Sequence, residues 1–209
     1  MSRLERLGER YREQRRSERG PDFVWGGYER IEPLRRAVGG PGLDVLDLGC
    51  RDGALTRHFT AGNRVVGLDA DRDALERAAE LGIETAWADV EEPLPFPDQS
   101  FDVVVAAELL EHLRDPRLLV DEATRVLRPG GTFVGSVPNA YRLKNRLRYL
   151  AGRPPEGNPT HLHLFRPADV ASLLDGLAEP QLAYAVGRFV RLQPRLFANV
   201  IVFSAHKPA

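Results

Sequence analysis

The run Val45-Leu46-Asp47-Leu48-Gly49-Cys50-Arg51-Asp52-Gly53, together with Asp69 at the end of a second apolar run, constrains the fold of this chain more than any other feature. It reads as an apolar strand that stops at an acid, turns through glycines and opens a helix over 54–60. A glycine turn lets backbone approach a ligand closely, and an acid at the end of the following strand can accept hydrogen bonds from ribose hydroxyls. The pattern predicts a strand-turn-helix-strand unit of an α/β sheet, with a nucleoside as its ligand.

The spacing separates two nucleoside readings. A dinucleotide fingerprint needs G-x-G-x-x-G, with the pyrophosphate resting on a helix N-terminus. Here there are only Gly49 and Gly53, with Arg51 between them, and Asp47 lies inside the turn. A carboxylate at that point repels pyrophosphate and suits an ammonium. S-adenosyl-L-methionine carries an amino-acid end, a sulfonium and no phosphate. The stretch resembles the glycine loop of the class I S-adenosylmethionine-dependent methyltransferases, D/E-x-G-x-G-x-G, with Arg51 in place of the middle glycine. A side chain at that position predicts a backbone that keeps negative φ.

Beyond the loop, strands and helices alternate. Strands are expected over 44–48, 64–68, 84–87, 101–107 and 132–137, with helices over 28–38, 54–60, 72–81 and 118–127, and this order predicts right-handed crossovers and a parallel sheet. Phe101-Asp102-Val103-Val104-Val105-Ala106-Ala107 is nearly continuous in apolar residues, as a strand buried on both faces must be. Pro129-Gly130-Gly131 is a turn by its own chemistry. Segments 181–186 and 199–205 are expected to form a terminal antiparallel pair. The first twenty residues, rich in arginine and glutamate, place Leu4, Leu7 and Tyr11 at helical spacing, and Gly20-Pro21 ends that pattern.

The resemblance implies a Rossmann-like, doubly wound, seven-stranded, mostly parallel sheet with an antiparallel last strand and helices on both faces. Residues 1–40 are expected as a helical segment packing on the core. Residues 41–209 form the methyltransferase domain, with a helical lid insert at about 139–165. Within the family the chain resembles the type 11/23 group and its UbiG-like and MetW-like branch.

The same resemblance implies the cofactor residues. Asp47 and Gly49 match positions that meet the methionine end, and Gly53 matches the last glycine of the loop. Asp69 matches the acid that grips the ribose. Asp89 matches the acid that accepts from the adenine amino group. Cys50 in the loop, and Ala70 and Val90 after their acids, complete the implied set.

Glu108-Leu109-Leu110-Glu111-His112 follows the fourth strand. On a helix, Glu108, Glu111 and His112 share a face and could hold a divalent cation, which would acidify a hydroxyl of the acceptor. The segment resembles the E-x-x-E-H of UbiG-like quinone O-methyltransferases and also the wording of methyltransferases that use no metal. No metal is the leading expectation, with Glu108 and His112 facing substrate or cofactor. In Thr160-His161-Leu162-His163-Leu164-Phe165, alternation points both histidines to one side. His161 is the leading candidate for a general base, and Tyr141 is a further candidate. Leu143, Leu147 and Leu150, with basic residues between them, resemble a lid helix over the substrate.

Charge and composition narrow the partners. The chain has 209 residues, 43% of them hydrophobic, with a formal net charge of -1 and a single cysteine, Cys50. These values suit one soluble domain without disulfides and give no bulk attraction to nucleic acid or membrane. No apolar run approaches the roughly 18 residues that a membrane span needs, and the first residues lack a signal-peptide core, so a cytoplasmic location is expected. The Asn/Asp-Pro-Pro-Tyr segment that captures planar amides and bases is replaced by Ala107-Glu108-Leu109-Leu110. The expected activity is methyl transfer to a small-molecule acceptor, at oxygen, with a homodimer left open. The MetW-like resemblance keeps open a regulatory cofactor-binding protein that acts through a partner enzyme, and a dinucleotide oxidoreductase is disfavoured by the missing glycine.

Overall fold

Strands β1 (Asp44–Leu48), β2 (Arg64–Asp69), β3 (Glu84–Trp87), β4 (Phe101–Ala107), β5 (Leu127–Pro138), β6 (Ala178–Ala185) and β7 (Val200–His206) form one sheet in the order β3-β2-β1-β4-β5-β7-β6. The computed structural model describes residues 2–15, 24, 26–155, 158 and 160–209. The Gly20-Pro21 break and the Tyr11 side chain lie outside that description. Strands β1 to β5 pair in parallel, and β7 runs antiparallel to both β5 and β6.

Burial on both faces explains the apolar strands. In β4, Val103 and Val105 pack with Val45, Val65, Phe59 and Ala78 on one face. Val104 and Ala106 pack with Leu46, Leu48 and Leu68 on the other. The first face is covered by α2 (Gly27–Val38) through Leu34 and Val38 and by α3 (Arg72–Glu80) through Ala78. The second is covered by α4 (Pro116–Val126) through Leu119, Val120 and Ala123, and by α6 (Pro167–Leu173) through Val170. Helix α1 (Arg3–Arg15) lies so tightly over the end of β2 that a Cβ on Gly8 would come within 2.5 Å of the Ala70 carbonyl oxygen.

Local chemistry starts the helices. Asp71 caps α3 by accepting from the amides of Asp73 and Ala74, and Asp115 caps α4 by accepting from Arg117 at 3.0 Å. The proline-glycine turn is a bulge inside β5: Leu127 pairs with Phe101 and Thr132 with Val103, so the intervening residues loop out.

Two expected helices are single 3-10 turns, Thr56–His58 and Leu110–His112. The first has only one turn of chain before Thr60-Ala61-Gly62-Asn63 returns to β2. The second is enclosed between Glu108, whose φ of 55° cannot start a right-handed helix, and Asp115, which already caps α4. The expected lid helix is α5 (Leu143–Leu150), but its buried residue is Asn145, and Leu147 and Leu150 face outward. A short α7 (Pro194–Phe197) packs against it.

Gly135 pairs with Ala106 on one side and Phe203 on the other, and a Cβ there would fall 2.8 Å from Phe203 Cε1. Gly135→Ala is expected to lower stability by roughly 1–3 kcal/mol through overpacking, read as a lower urea midpoint at unchanged m-value.

Candidate active site

The strand order reverses between β1 and β4, and the crevice that opens at their carboxyl ends is where an open α/β sheet binds ligands. A cleft of about 750 Å³ occupies this place. Asp47, Gly49, Cys50, Asp69, Ala70, Asp89 and Val90 line one end. Glu108, Glu111, His112, Asn139, His161 and His163 line the other.

Asp69 organises the first end. Its Oδ2 accepts the amide of Arg51 at 3.0 Å and its Oδ1 accepts the amide of Asp71 at 2.9 Å. The bond to Arg51 draws the loop over, and Arg51 takes φ 55°, the left-handed value expected of a glycine. The expectation of negative φ at Arg51 is therefore corrected: the carboxylate bond offsets the cost of a side chain in that region. Gly49, at φ 74°, and Cys50 both donate to the Leu68 carbonyl, at 2.8 and 3.1 Å. Gly53 is set back from the cleft, where a Cβ would meet Ile83 Cδ1 at 2.6 Å, so it serves packing of the loop. The Cys50 thiol is pushed well up by burial, which keeps it an inert thiol.

Asp47 is buried at the base of the cleft and accepts from Thr56 Oγ1 at 2.5 Å. Burial lifts its carboxyl to about 7, with the Asp69 charge acting in the same direction and the Thr56 bond and Arg30 opposing. Asp89 accepts from the Glu91 amide at 3.0 Å, and Arg3 of α1 lies 3.5 Å from its carboxylate. Leu7 of α1 reaches the cleft wall beside it.

Sequence reasoning missed Arg30. It projects from α2 into the cleft, 6% exposed, with Nη1 4.0 Å from Glu108 Oε1 and Nε without a hydrogen-bond partner. The only signal was position, one turn before Leu34 on the helix face that covers the sheet. Burial lowers its pKa below the usual guanidinium value, against the opposing charges of Glu108, Glu111 and Asp47.

At the second end the expected Glu108, Glu111 and His112 set is split. Glu108 donates its amide to Ser136 O at 2.8 Å and accepts from Ser136 Oγ at 3.0 Å, and burial raises its carboxyl. His161 takes its place: ligand atoms of Glu111, His112 and His161 all lie within 4.8 Å of one another. The missing helix is the reason, because a 3-10 turn after a left-handed residue does not carry Glu108 round to that face. Glu111 is 1% exposed, neither carboxylate oxygen has a hydrogen-bond partner, and burial with the Glu108 charge lifts it well above the usual range. Its carbonyl accepts the amides of Leu162 and His163 at 2.7 and 3.2 Å, which fastens the histidine segment to this turn.

The rings of His112 and His161 meet edge to face with centroids 4.8 Å apart. His112 Nδ1 lies 3.3 Å from Thr160 O and 3.2 Å from Thr160 Oγ1, which fixes the ring against the histidine segment. Burial, then the His112 charge, lower His161 to about 4, so it is neutral at physiological pH. His163 Nε2 donates to Leu113 O at 2.9 Å and holds the segment in place. Tyr141 lies apart, in a second cavity with Arg146, Tyr184 and Arg195.

The donor set suits S-adenosylmethionine. A guanidinium at the cleft wall matches a carboxylate, a buried acid matches an ammonium, and the carboxylate of Asp69 matches a diol. A glycine at 49 leaves room that a Cβ, 3.2 Å from Leu109 Cδ1, would crowd. Fold and cleft together define a nucleoside-binding enzyme of the Rossmann-like class.

Comparison with known proteins specifies it. A family model described as a methyltransferase domain matches residues 46–135. The chain is 37% identical over 137 residues to a probable S-adenosylmethionine-dependent methyltransferase of Mycolicibacterium smegmatis, covering 64% of this chain and 51% of that protein. It is 32% identical over 164 residues to the ubiquinone biosynthesis O-methyltransferase of Proteus mirabilis, covering 70% of this chain and 67% of that one. In fold it is similar to an S-adenosylmethionine-dependent methyltransferase of Archaeoglobus fulgidus, with a TM-score of 0.72 at 17% identity over 94% of this chain and 99% of that one. A similar match is the N-methyltransferase NodS of Bradyrhizobium japonicum in complex with S-adenosylhomocysteine, with a TM-score of 0.67 at 20% identity over 95% and 98%. The chain belongs to the S-adenosylmethionine-dependent methyltransferases, and S-adenosylmethionine is its cofactor.

The raised carboxyl of Asp47 fixes the sign of a stability effect. A folded value near 7 against an unfolded value near 3.8 stabilises the fold below the unfolded value, and that contribution is lost as pH rises through about 7. Asp47→Asn is therefore expected to melt a few degrees above the parent at pH 8 in the absence of cofactor, with the advantage vanishing at pH 4. Equal melting points at pH 8 would show that the carboxyl is not strained by burial.

Proposed function

We propose that this methyltransferase acts on an oxygen of a small-molecule acceptor held between Glu108, His112 and His161, and that Asp47, Asp69, Asp89 and Arg30 hold the cofactor. The observation that carries the acceptor side is the cluster of Glu111, His112 and His161, with a neutral imidazole beside an unpartnered buried carboxyl. The O-methyltransferase name of the Proteus mirabilis relative agrees with oxygen as the acceptor atom.

S-adenosylmethionine, when bound, supplies a methyl group already activated on its sulfonium, so the protein's own task is positioning and proton removal. The Arg30 guanidinium at the cleft wall would hold the cofactor's carboxylate, and Asp47 in its ionised form would hold the ammonium. Asp69 accepts from the ribose hydroxyls, and Asp89 accepts from the adenine amino group. His161 accepts the proton of the acceptor hydroxyl through its neutral imidazole. An imidazole near 4 is a weak base, suited to taking the proton only as the acceptor oxygen forms its new bond.

The same unpartnered carboxyl supports a second reading, in which Glu111, His112 and His161 hold a divalent cation that acidifies the acceptor hydroxyl. Two nitrogens and one carboxylate suit zinc or manganese better than magnesium.

Calorimetric titration separates these assignments. Asp69→Ala is expected to weaken S-adenosylmethionine and S-adenosylhomocysteine by roughly 10–100-fold, as loss of charge-assisted hydrogen bonds does. Arg30→Met is expected to weaken both by a similar factor while adenosine, which lacks the carboxylate, binds as before. Equal weakening of adenosine would remove Arg30 from the carboxylate.

With a phenolic acceptor, His161→Ala is expected to lower kcat by roughly 10²–10⁴-fold at nearly unchanged cofactor affinity. A chelator that leaves the parent's rate intact supports the general base. Loss of activity with the chelator, restored by zinc or manganese in the parent and not in Glu111→Gln, supports the cation instead.

A further inference from the structure

We propose that the cavity beside Tyr141 is a second ligand site, built for a phosphate monoester carried on a flat, aromatic body. The cavity has a volume of about 520 Å³, within the range of small-molecule sites. Four segments far apart in the chain enclose it: α5 with the turn before it, the start of α6, the edge strand β6, and α7. Tyr141, Arg146, Arg166, Tyr184 and Arg195 supply its polar groups. Among the described residues no acid lines it.

The three guanidiniums are not equally compensated. Arg166 is answered by Asp169, whose Oδ1 lies 2.6 Å from Nη2 and 3.1 Å from Nε. Arg146 donates Nε to the Tyr141 carbonyl at 2.6 Å, a neutral partner. Among the described residues no carboxylate pairs with Arg146 or with Arg195. Two cations from different elements therefore border one space with their charge uncancelled, and they repel until an anion enters between them.

That balance selects the ligand. A phosphate monoester carries close to two negative charges at neutral pH, and its oxygens accept paired bonds from a guanidinium. A single carboxylate or a phosphodiester brings one charge and leaves one arginine unanswered. The half-buried Tyr141 and Tyr184 offer phenolic donors and ring faces, and Leu182 and Pro167 add apolar surface beside them. Such walls suit an aromatic ring attached to the phosphate.

This site is separate from the catalytic cleft, with which it shares no lining residue. The two lie on opposite sides of one short wall. Tyr141 borders the cavity and Arg142 the cleft, and Asn139, at the cleft, donates Nδ2 to the Arg195 carbonyl at 3.1 Å. A ligand in the cavity therefore binds alongside cofactor and acceptor.

Calorimetric titration of the full chain, with S-adenosylhomocysteine saturating the cofactor end, tests this with three probes. Phenyl phosphate is expected to bind at least about tenfold more tightly than inorganic phosphate, which lacks the ring, and than methyl phenyl phosphate, which keeps the ring and one charge. Arg146→Gln and, separately, Arg195→Gln are each expected to weaken phenyl phosphate by roughly 10–100-fold, as loss of a charge-assisted hydrogen bond does. Arg195→Lys, which keeps the charge without the planar fork, is expected to recover part of that loss. Unchanged affinity for S-adenosylhomocysteine in each variant reports an intact fold. A parent that does not bind phenyl phosphate overturns the proposal. Binding that both glutamine variants leave untouched places the ligand elsewhere and overturns it too, as does equal affinity for inorganic phosphate or for the methyl ester.

Discussion

Burial of both faces of the five parallel strands is the constraint on which the rest of this structure depends. Parallel neighbours need crossover helices, and those helices cover the sheet above and below, so polar side chains are excluded from the strand interiors. Only the carboxyl ends remain, where the chain must turn from strand to helix. The carboxyl ends of β1, β2 and β4 carry Asp47, Asp69 and Glu108, and the reversal of strand order between β1 and β4 leaves a gap for a ligand. The site is therefore a consequence of how the sheet is wound.

Within that gap, buried acids do two kinds of work. Asp69 accepts one backbone amide on each oxygen and shapes the loop, to the extent of holding Arg51 in a glycine-like conformation. Asp47 and Glu111 are desolvated without matching compensation, and both have raised carboxyl values. Stability given up at these positions is consistent with groups whose partners arrive as ligands. Arg30 is the cationic counterpart, buried within reach of three acids and retaining an unused donor. Two of the left-handed non-glycine residues, Arg51 and Glu108, line this same cleft, so backbone strain collects where ligand contacts are expected.

Net charge conceals how charge is distributed. A total of -1 suggests no affinity for anions, but the arginines of 141–153 and 188–197 lie in acid-free stretches on touching elements. Their sum is balanced by the excess of acids over bases in the rest of the chain. A Debye length near 10 Å means that a local cluster acts on its partner without averaging over the molecule.

Sequence alone determined the parallel sheet, the glycine loop, the three acids at successive strand ends and the family, because these are encoded in local runs: period-two and continuous apolar patterns, and turn residues at fixed offsets. The antiparallel closing strand was legible through resemblance, and it is present as β7. Tertiary structure decided what depends on contacts between distant segments. It shortened the helices expected over 54–60 and at 108–112 to single turns, and it separated Glu108 from Glu111 and His112. It brought His161, 49 positions beyond His112 along the chain, against that ring at 4.8 Å. It also carried Arg30 from a helix before the sheet into the cleft, and turned the leucines of α5 outward. Periodicity says that leucines share a stripe. Which way the stripe faces is set by the element it packs against, and here Asn145, hydrogen-bonded to Ala140, takes the inward side.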